Sequence, residues 1–115
     1  MLKKAMFAAA MLMVPAAALS HHGWSSYDES RVIKLQASLI DVRWANPHGS
    51  AKVRYNKAVW DVILAPVARM EARGLTQAMV APGQRVTIEG YARRDGTREM
   101  RIERVTAGKR TVELR

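Results

Sequence analysis

Three histidines are the residues of this sequence best suited to chemistry. His21 and His22 are adjacent, and His48 ends the stretch Trp44-Ala45-Asn46-Pro47-His48. Imidazole is the commonest metal ligand in proteins, and a nitrogen-rich site favours copper(II) or nickel(II) among the first-row divalent ions. The three side chains therefore form a candidate metal site, with copper(II) as the first choice. The alternative is that His21 and His22 are solvated and that His48 caps a turn.

A freed amino terminus would add nitrogen ligands beside the first two histidines. Cleavage of the chain before His21 gives an amine and a ring that chelate one ion together, and His22 or His48 could complete a planar set. Cleavage before Leu19 or Ser20 places a histidine third from the new amine. In that position the amine, two deprotonated amides and the imidazole can all bind copper(II). A copper-binding terminus is therefore predicted for each of the three cuts.

The first twenty residues have the pattern of a secretory signal peptide. Lys3 and Lys4 give a positive start, and residues 5–14 form an uncharged apolar run that is too short to span a bilayer. Ala18-Leu19-Ser20 supplies small residues for cleavage after residue 20. The pattern predicts a periplasmic or secreted protein with no transmembrane anchor after processing. An uncleaved anchor helix is the alternative.

Other kinds of reactive site have little support in the residue types. The sequence has no cysteine, which excludes disulfides, thiolate metal sites and cysteine nucleophiles. A catalytic zinc needs three protein ligands, and Asp28, Asp41 or Asp61 could join the histidines, although no helical histidine spacing supports such a site. No serine lies in a Gly-x-Ser-x-Gly turn, and there is no glycine-rich phosphate loop. We therefore expect a binding module rather than an enzyme, with a metal-dependent hydrolase as the minor alternative.

The chain is basic, and its charge is concentrated towards the C-terminus. Removal of residues 1–20 leaves 17 basic against 10 acidic side chains, a net charge of +7. Four arginines on or beside a predicted hairpin form a candidate anion-binding site: Arg93, Arg94, Arg98 and Arg101. The expected partner is an anionic protein, lipid or glycan rather than nucleic acid, because Tyr91 is the one aromatic platform among these charges. The alternative is a solvated face of cross-strand ion pairs.

Alternation of apolar and polar residues predicts a mainly β fold. The longest such pattern covers residues 32–44, but the adjacent pair Leu39 and Ile40 shifts its phase by one residue. A strand can bear that shift with a bulge or a sharp bend, and can then pair with two neighbours as the first strand of a small barrel does. Shorter runs predict four further strands and a short terminal one, at 51–55, 60–64, 86–91, 99–103 and 111–114. The residues expected to contribute to the core include Trp44, Trp60, Val62 and Ile88.

Turn and helix signals complete the pattern. Asn46-Pro47 predicts a turn after the first strand, because a residue before proline is disfavoured in the helical region. Asn56-Lys57 and Asp95-Gly96 predict hairpin turns. Pro66 suits the first turn of a short helix that ends at Gly74.

This order of strands, with one short helix between the third and the fourth, is that of a small OB-like barrel of five to six strands. A small sandwich with one helix is the competing architecture. We therefore divide the chain into a signal peptide at 1–20, an N-terminal arm at 21–30 and a β-barrel domain at 31–115. Trp24 and Tyr27 are expected to pack the arm against the end of the barrel.

Several of these marks occur together in a known family. They are His21-His22-Gly23-Trp24 after the signal peptide, Trp44-x-Asn46-Pro47-His48, the Trp60 strand, Pro82-Gly83 and Gly90-Tyr91 before Asp95-Gly96. The chain resembles a family of small exported bacterial proteins that is defined only as a domain of unknown function. The resemblance covers essentially the whole mature chain and implies the same fold and compartment, but it implies no activity.

Overall fold

The computed structural model of this chain describes residues 23–115. The predicted signal peptide at 1–20, together with His21 and His22, lies outside the described residues. After a 3-10 turn at Trp24–Ser26, the strands are β1 at Tyr27–Ser38, β2 at Ile40–Arg43, β3 at Ser50–Tyr55, β4 at Ala58–Ile63, β5 at Arg85–Arg93, β6 at Glu99–Ala107 and β7 at Arg110–Glu113. Between β4 and β5 lie one short helix, α1 at Val67–Ala72, and a 3-10 turn at Gln77–Val80.

The seven strands form one hydrogen-bonded sheet, which confirms the mainly β class with one short helix. The strand order is β1-β5-β6-β4-β3-β2, and β7 is added to β6. Strands β4 and β6 are parallel, and all the other neighbours are antiparallel. The two edge strands β1 and β2 do not pair with each other, so the hydrogen-bonded path is not closed.

The first long apolar segment pairs with two neighbours, as its shift of phase predicted. Residues 32–38 of β1 pair with β5, whereas β2 pairs with β3. Leu39 lies between the two ladders and is fully buried. Just beyond it, Asp41 has a positive φ of 48° and the register of β2 shifts by one residue, which marks a bulge. The bend therefore lies at the point where the apolar pattern changes parity.

The core is built from the inward-facing residues of the strands together with the helix. Val62 and Ile88 are fully buried, as predicted. Trp44 and Trp60 are only partly buried and pack against the edge of the core. A second register shift, at Glu103 of β6, returns Val105 to the buried face. Both tryptophans therefore contribute to the core from its edge, whereas Ile40, which the alternation placed on the same face as Val42 and Trp44, is exposed.

Local signals place the turns and the helix where the sequence predicted them. Asn56 and Lys57 join β3 to β4 with positive φ angles of 52° and 63°, as a tight two-residue hairpin requires. Pro66 precedes α1, and Gly74 follows it with a φ of 92°. Among residues 23–115, no helix has the length and apolar character needed to cross a membrane.

Candidate functional site

His48 lies on the rim of a groove on the outer face of the sheet. The groove has a volume of about 650 Å³ and is formed by β2, β3, β4 and the start of β6. In β3 the neighbours of Ser50 and Lys52 point into the core, so these two residues belong to the opposite, outer face. Six titratable side chains line the groove: Asp41, Arg43, His48, Lys52, Asp61 and Glu99. The groove is therefore polar, and beside His48 it holds three carboxylates and two cations.

The backbone around Gly49 fixes the position of His48. The Gly49 amide donates to the Ala65 carbonyl at 2.9 Å, and its carbonyl accepts from the Leu64 amide at the same distance. A Cβ built on Gly49 would lie 2.8 Å from the Cε atom of Met70, so the absence of a side chain lets the helix pack closely here. His48, the residue before Gly49, is therefore held where the start of β3 meets the segment that leads into α1.

The ring of His48 has a defined orientation. Its Nδ1 atom lies 3.0 Å from the Gly49 carbonyl oxygen. Because a carbonyl only accepts, Nδ1 carries the hydrogen in the neutral imidazole, and Nε2 carries the lone pair. A backbone carbonyl on the non-coordinating nitrogen is the usual outer partner of a metal-binding histidine. The ring therefore has the tautomer that a metal ligand needs.

The Asn46-Pro47 turn connects this histidine to the helix as well as to the sheet. The peptide bond between Asn46 and Pro47 is cis, and both residues are exposed. Before the turn, the Nε1 atom of Trp44 donates to the Glu71 carboxylate of α1 at 3.0 Å. The turn is thus attached at both ends, through Trp44 and through the Gly49 backbone.

The segment before β1 crosses the outer face of the sheet. Strand β1 begins at Tyr27, inside the predicted arm at 21–30, and Tyr27 is fully buried with its hydroxyl donating to Glu99 at 2.8 Å. Burial, followed by the neighbouring Glu99 carboxylate, raises the pKa of the Tyr27 phenol. The Trp24 ring contacts two guanidinium groups, at 4.2 Å from that of Arg101 and 4.4 Å from that of Arg115.

This path leads from β1 towards the groove. Trp24 reaches Arg101 of β6, and the next strand places Ile63 opposite Arg101. Ile63 lines the groove and lies opposite Ser50, two residues after His48. Because neighbouring strands are about 4.8 Å apart, two strand spacings separate the Trp24 anchor from the strand that follows His48. Gly23, at the start of the described chain, is therefore on the side of the sheet that holds the groove.

The described residues place His48 at the groove on the outer face of the sheet, but they do not supply a complete set of metal ligands around it. Within residues 23–115, no group of three or more histidine, aspartate or glutamate side chains is placed to hold a metal ion. His21 and His22 are outside the described residues.

Three of the four arginines predicted to bind an anion have intramolecular partners in the structure. Arg93 pairs with Asp95 at 3.1 Å and with Glu99 at 3.3 Å, and the bond to Asp95 contributes most to its raised pKa. Arg94 donates to the Ser25 carbonyl at 3.0 Å. Arg101 stacks on Trp24, and its burial lowers its pKa. Arg98 is exposed on the hairpin.

We expect the hairpin arginines to add no more to polyanion binding than other exposed cations do, because Arg93, Arg94 and Arg101 already have intramolecular partners. The test is charge reversal of Arg94 and Arg98, compared with reversal of Lys57 and Lys109, which are exposed in other turns. The two double variants should leave a heparin resin at the same salt concentration. Much earlier elution of the Arg94 and Arg98 variant would instead establish an anion-docking surface.

Comparison with known families supports the resemblance noted from the sequence. The model of DUF6152, a family of unknown function, matches residues 9–101. No curated protein matches this chain significantly.

Proposed function

This chain belongs to the DUF6152 family of unknown function, and we propose that it is an exported binding module that holds a divalent metal ion. Copper(II) is the preferred ion, His21, His22 and His48 are the ligands, and the amine released by signal cleavage supplies a further nitrogen. The module binds and carries out no enzymatic reaction. The proposed compartment, periplasmic or extracellular, rests on the signal pattern of residues 1–20.

The architecture that we propose for this module is an OB-like barrel. Strands β1 and β2 act as one bent first strand, since they are separated only by the buried Leu39 and pair with β5 and β3. The parallel pairing of β4 with β6 and the helix between β4 and β5 agree with the OB arrangement. In this proposal the continuous chain through Leu39 closes the barrel where the hydrogen-bonded path is open.

The observation that carries the metal proposal is the state of the His48 ring. Its Nδ1 atom lies 3.0 Å from the Gly49 carbonyl, so in the neutral ring Nε2 is the nitrogen that can bind a metal, and the residue lines a groove on the outer face of the sheet. The N-terminal segment is anchored through Trp24 on the same face. His21 and His22 directly precede Gly23 in the sequence, so few residues separate them from this anchor.

We expect the mature protein to bind copper(II) at least about tenfold more tightly than the same protein with a short Gly-Ser extension before its first residue, a difference of about 1.4 kcal/mol. The extension keeps both histidines but moves the free amine away from them. Binding is measured by titration after the first residue of the exported protein has been established by mass spectrometry. Unfolding of both metal-free forms at the same temperature is the control.

Two results would count against this proposal. Equal affinity of the mature and the extended protein would remove the amine from the site. A mature protein that takes up no copper(II) at micromolar concentrations would exclude the metal function and would leave docking of an anionic partner as the better interpretation of the basic surface.

A further inference from the structure

A second cavity opens at the other end of β3 and β4, where their hairpin turns. Its volume is about 460 Å³, within the usual range for small-molecule sites. The walls come from the start of β1, the β3–β4 hairpin and the β5–β6 hairpin. This cavity shares no lining residue with the groove of His48.

Aromatic side chains form the floor of this cavity. Trp60 and Tyr55 have the same parity as the buried Val53 and Val62, so both rings point towards the core, yet neither is fully covered. Their centroids are 5.4 Å apart in an edge-to-face arrangement, which fixes the orientation of each ring. Ile33 adds an apolar wall. The half-burial of Trp60 therefore leaves part of a rigid aromatic surface open to a ligand.

Guanidinium groups form the rim. The side chains of Arg31 and Arg94 are 86% and 58% exposed, whereas that of Arg93 is 20% exposed and is held by acidic partners on its own hairpin. Asp28 is the one carboxylate that lines the cavity, and it lies 3.8 Å from Arg31 and 4.0 Å from Arg94. These contacts are longer than a normal charge-assisted hydrogen bond.

The Asp28 carboxylate makes its shortest hydrogen bonds with Ser30, two residues along the same strand. Its Oδ1 atom accepts from the Ser30 hydroxyl at 2.6 Å and from the Ser30 amide at 3.1 Å. The closest partners of this carboxylate are therefore neutral groups. Arg94 donates through Nε to the Ser25 carbonyl at 3.0 Å, so its terminal nitrogens, together with the exposed Arg31, are the groups that remain for a small anion. The cavity is therefore lined by three arginines and one carboxylate together with the two aromatic rings, and its charge is positive on balance.

We propose that this cavity binds a small planar aromatic carboxylate, with its ring against Trp60 and Tyr55 and its carboxylate at the exposed guanidinium groups of Arg31 and Arg94. A guanidinium group matches a carboxylate with two parallel hydrogen bonds, and a partly desolvated aromatic floor favours a flat ring over an aliphatic chain. The site is independent of the metal proposal, because its residues and its cavity are different ones.

The test uses indole-3-carboxylate and its uncharged analogue indole-3-carboxamide as probes of the full mature protein. We expect the carboxylate to bind at least tenfold more tightly than the carboxamide in calorimetric titration, and to shift the indole N–H resonance of Trp60 in an NMR spectrum. The double variant Arg31→Gln, Arg94→Gln should lose at least tenfold in affinity for the carboxylate. Trp60→Leu should weaken both probes.

Matched controls separate this site from general attraction. Arg98→Gln removes an exposed charge from the same hairpin without touching the cavity, and His48→Ala removes the candidate metal ligand; both should bind the carboxylate like the parent. Should Trp60→Leu fail to fold, the arginine variants and the Trp60 resonance still decide the matter. Equal binding of the two probes, no binding at millimolar concentration, or an equal loss in Arg98→Gln would overturn the proposal.

Discussion

Replacement of Gly90 by alanine is expected to lower the free energy of unfolding by at least about 3 kcal/mol, the upper end of the usual cost of overpacking. A Cβ at this position of β5 would lie 2.1 Å from the Arg101 carbonyl oxygen and 2.9 Å from the Cα atom of Ile102. Both are backbone atoms of the paired strand β6, so no side chain can turn away to make room. The strands must separate beside the bulge at Glu103, where their register already shifts.

The measurement is chemical denaturation of Gly90→Ala beside Gly83→Ala. Gly83 has a φ of +89°, and a Cβ there would meet nothing within 4 Å, so alanine should cost about 1–2 kcal/mol through backbone strain alone. The difference in unfolding free energy between the two variants separates the cost of the close approach of β5 and β6 at Gly90 from the cost of a positive φ at Gly83. If Gly90→Ala were as stable as Gly83→Ala, the close packing of β5 against β6 would not exist as described.

Replacement of His48 by alanine is expected to lower the copper(II) affinity of the mature protein by at least about tenfold, or about 1.4 kcal/mol. The variant removes the one proposed ligand that lies within residues 23–115, in the loop before β3, and it leaves the amine and both N-terminal histidines in place. Asn46→Ala is the matched control, since it changes the same exposed turn without removing an imidazole. It should bind copper(II) like the parent. An equal loss in Asn46→Ala would assign the effect to the turn rather than to the ring.

Much of the fold could be predicted because its signals are local. The parity change at Leu39 and Ile40 is a property of neighbouring residues, and a strand that changes parity has to bend if it is to keep one face buried. The hairpin at Asn56-Lys57 and the helix stop at Gly74 depend in the same way on the residue types at the turn itself.

The depth of a residue depends on distant parts of the chain, and it could not be predicted. Trp60 has the correct parity for the core, but it lies near the tip of a hairpin and is only partly buried. The Trp24 ring is held by Arg101 and Arg115, and no spacing in the sequence indicates that both guanidinium groups meet on one ring. The sequence suggested that Trp24 packs against the domain without indicating its partners.

The candidate site shows the same division. His48 could be identified from its residue type and from the Asn46-Pro47 turn. The contact of its ring with the Gly49 carbonyl could not be predicted, because it depends on how the start of β3 packs against the segment that leads into α1. In the arginine hairpin, the alternation of charges was compatible with both an anion site and ion pairs. The structure pairs Arg93 with Asp95 in the turn and with Glu99 on the paired strand.

The most direct test of the metal proposal is the electron paramagnetic resonance spectrum of the copper(II)-loaded mature protein, recorded for the parent, His21→Ala and His48→Ala. If the N-terminal segment folds back onto the groove, each variant loses a nitrogen ligand, and both spectra differ from that of the parent. Lowering the pH should release the metal from all three, because protons compete for the same nitrogens. A His48→Ala spectrum and affinity identical to those of the parent, together with a changed His21→Ala spectrum, would contradict the account and would reduce the site to a chelate at the chain terminus.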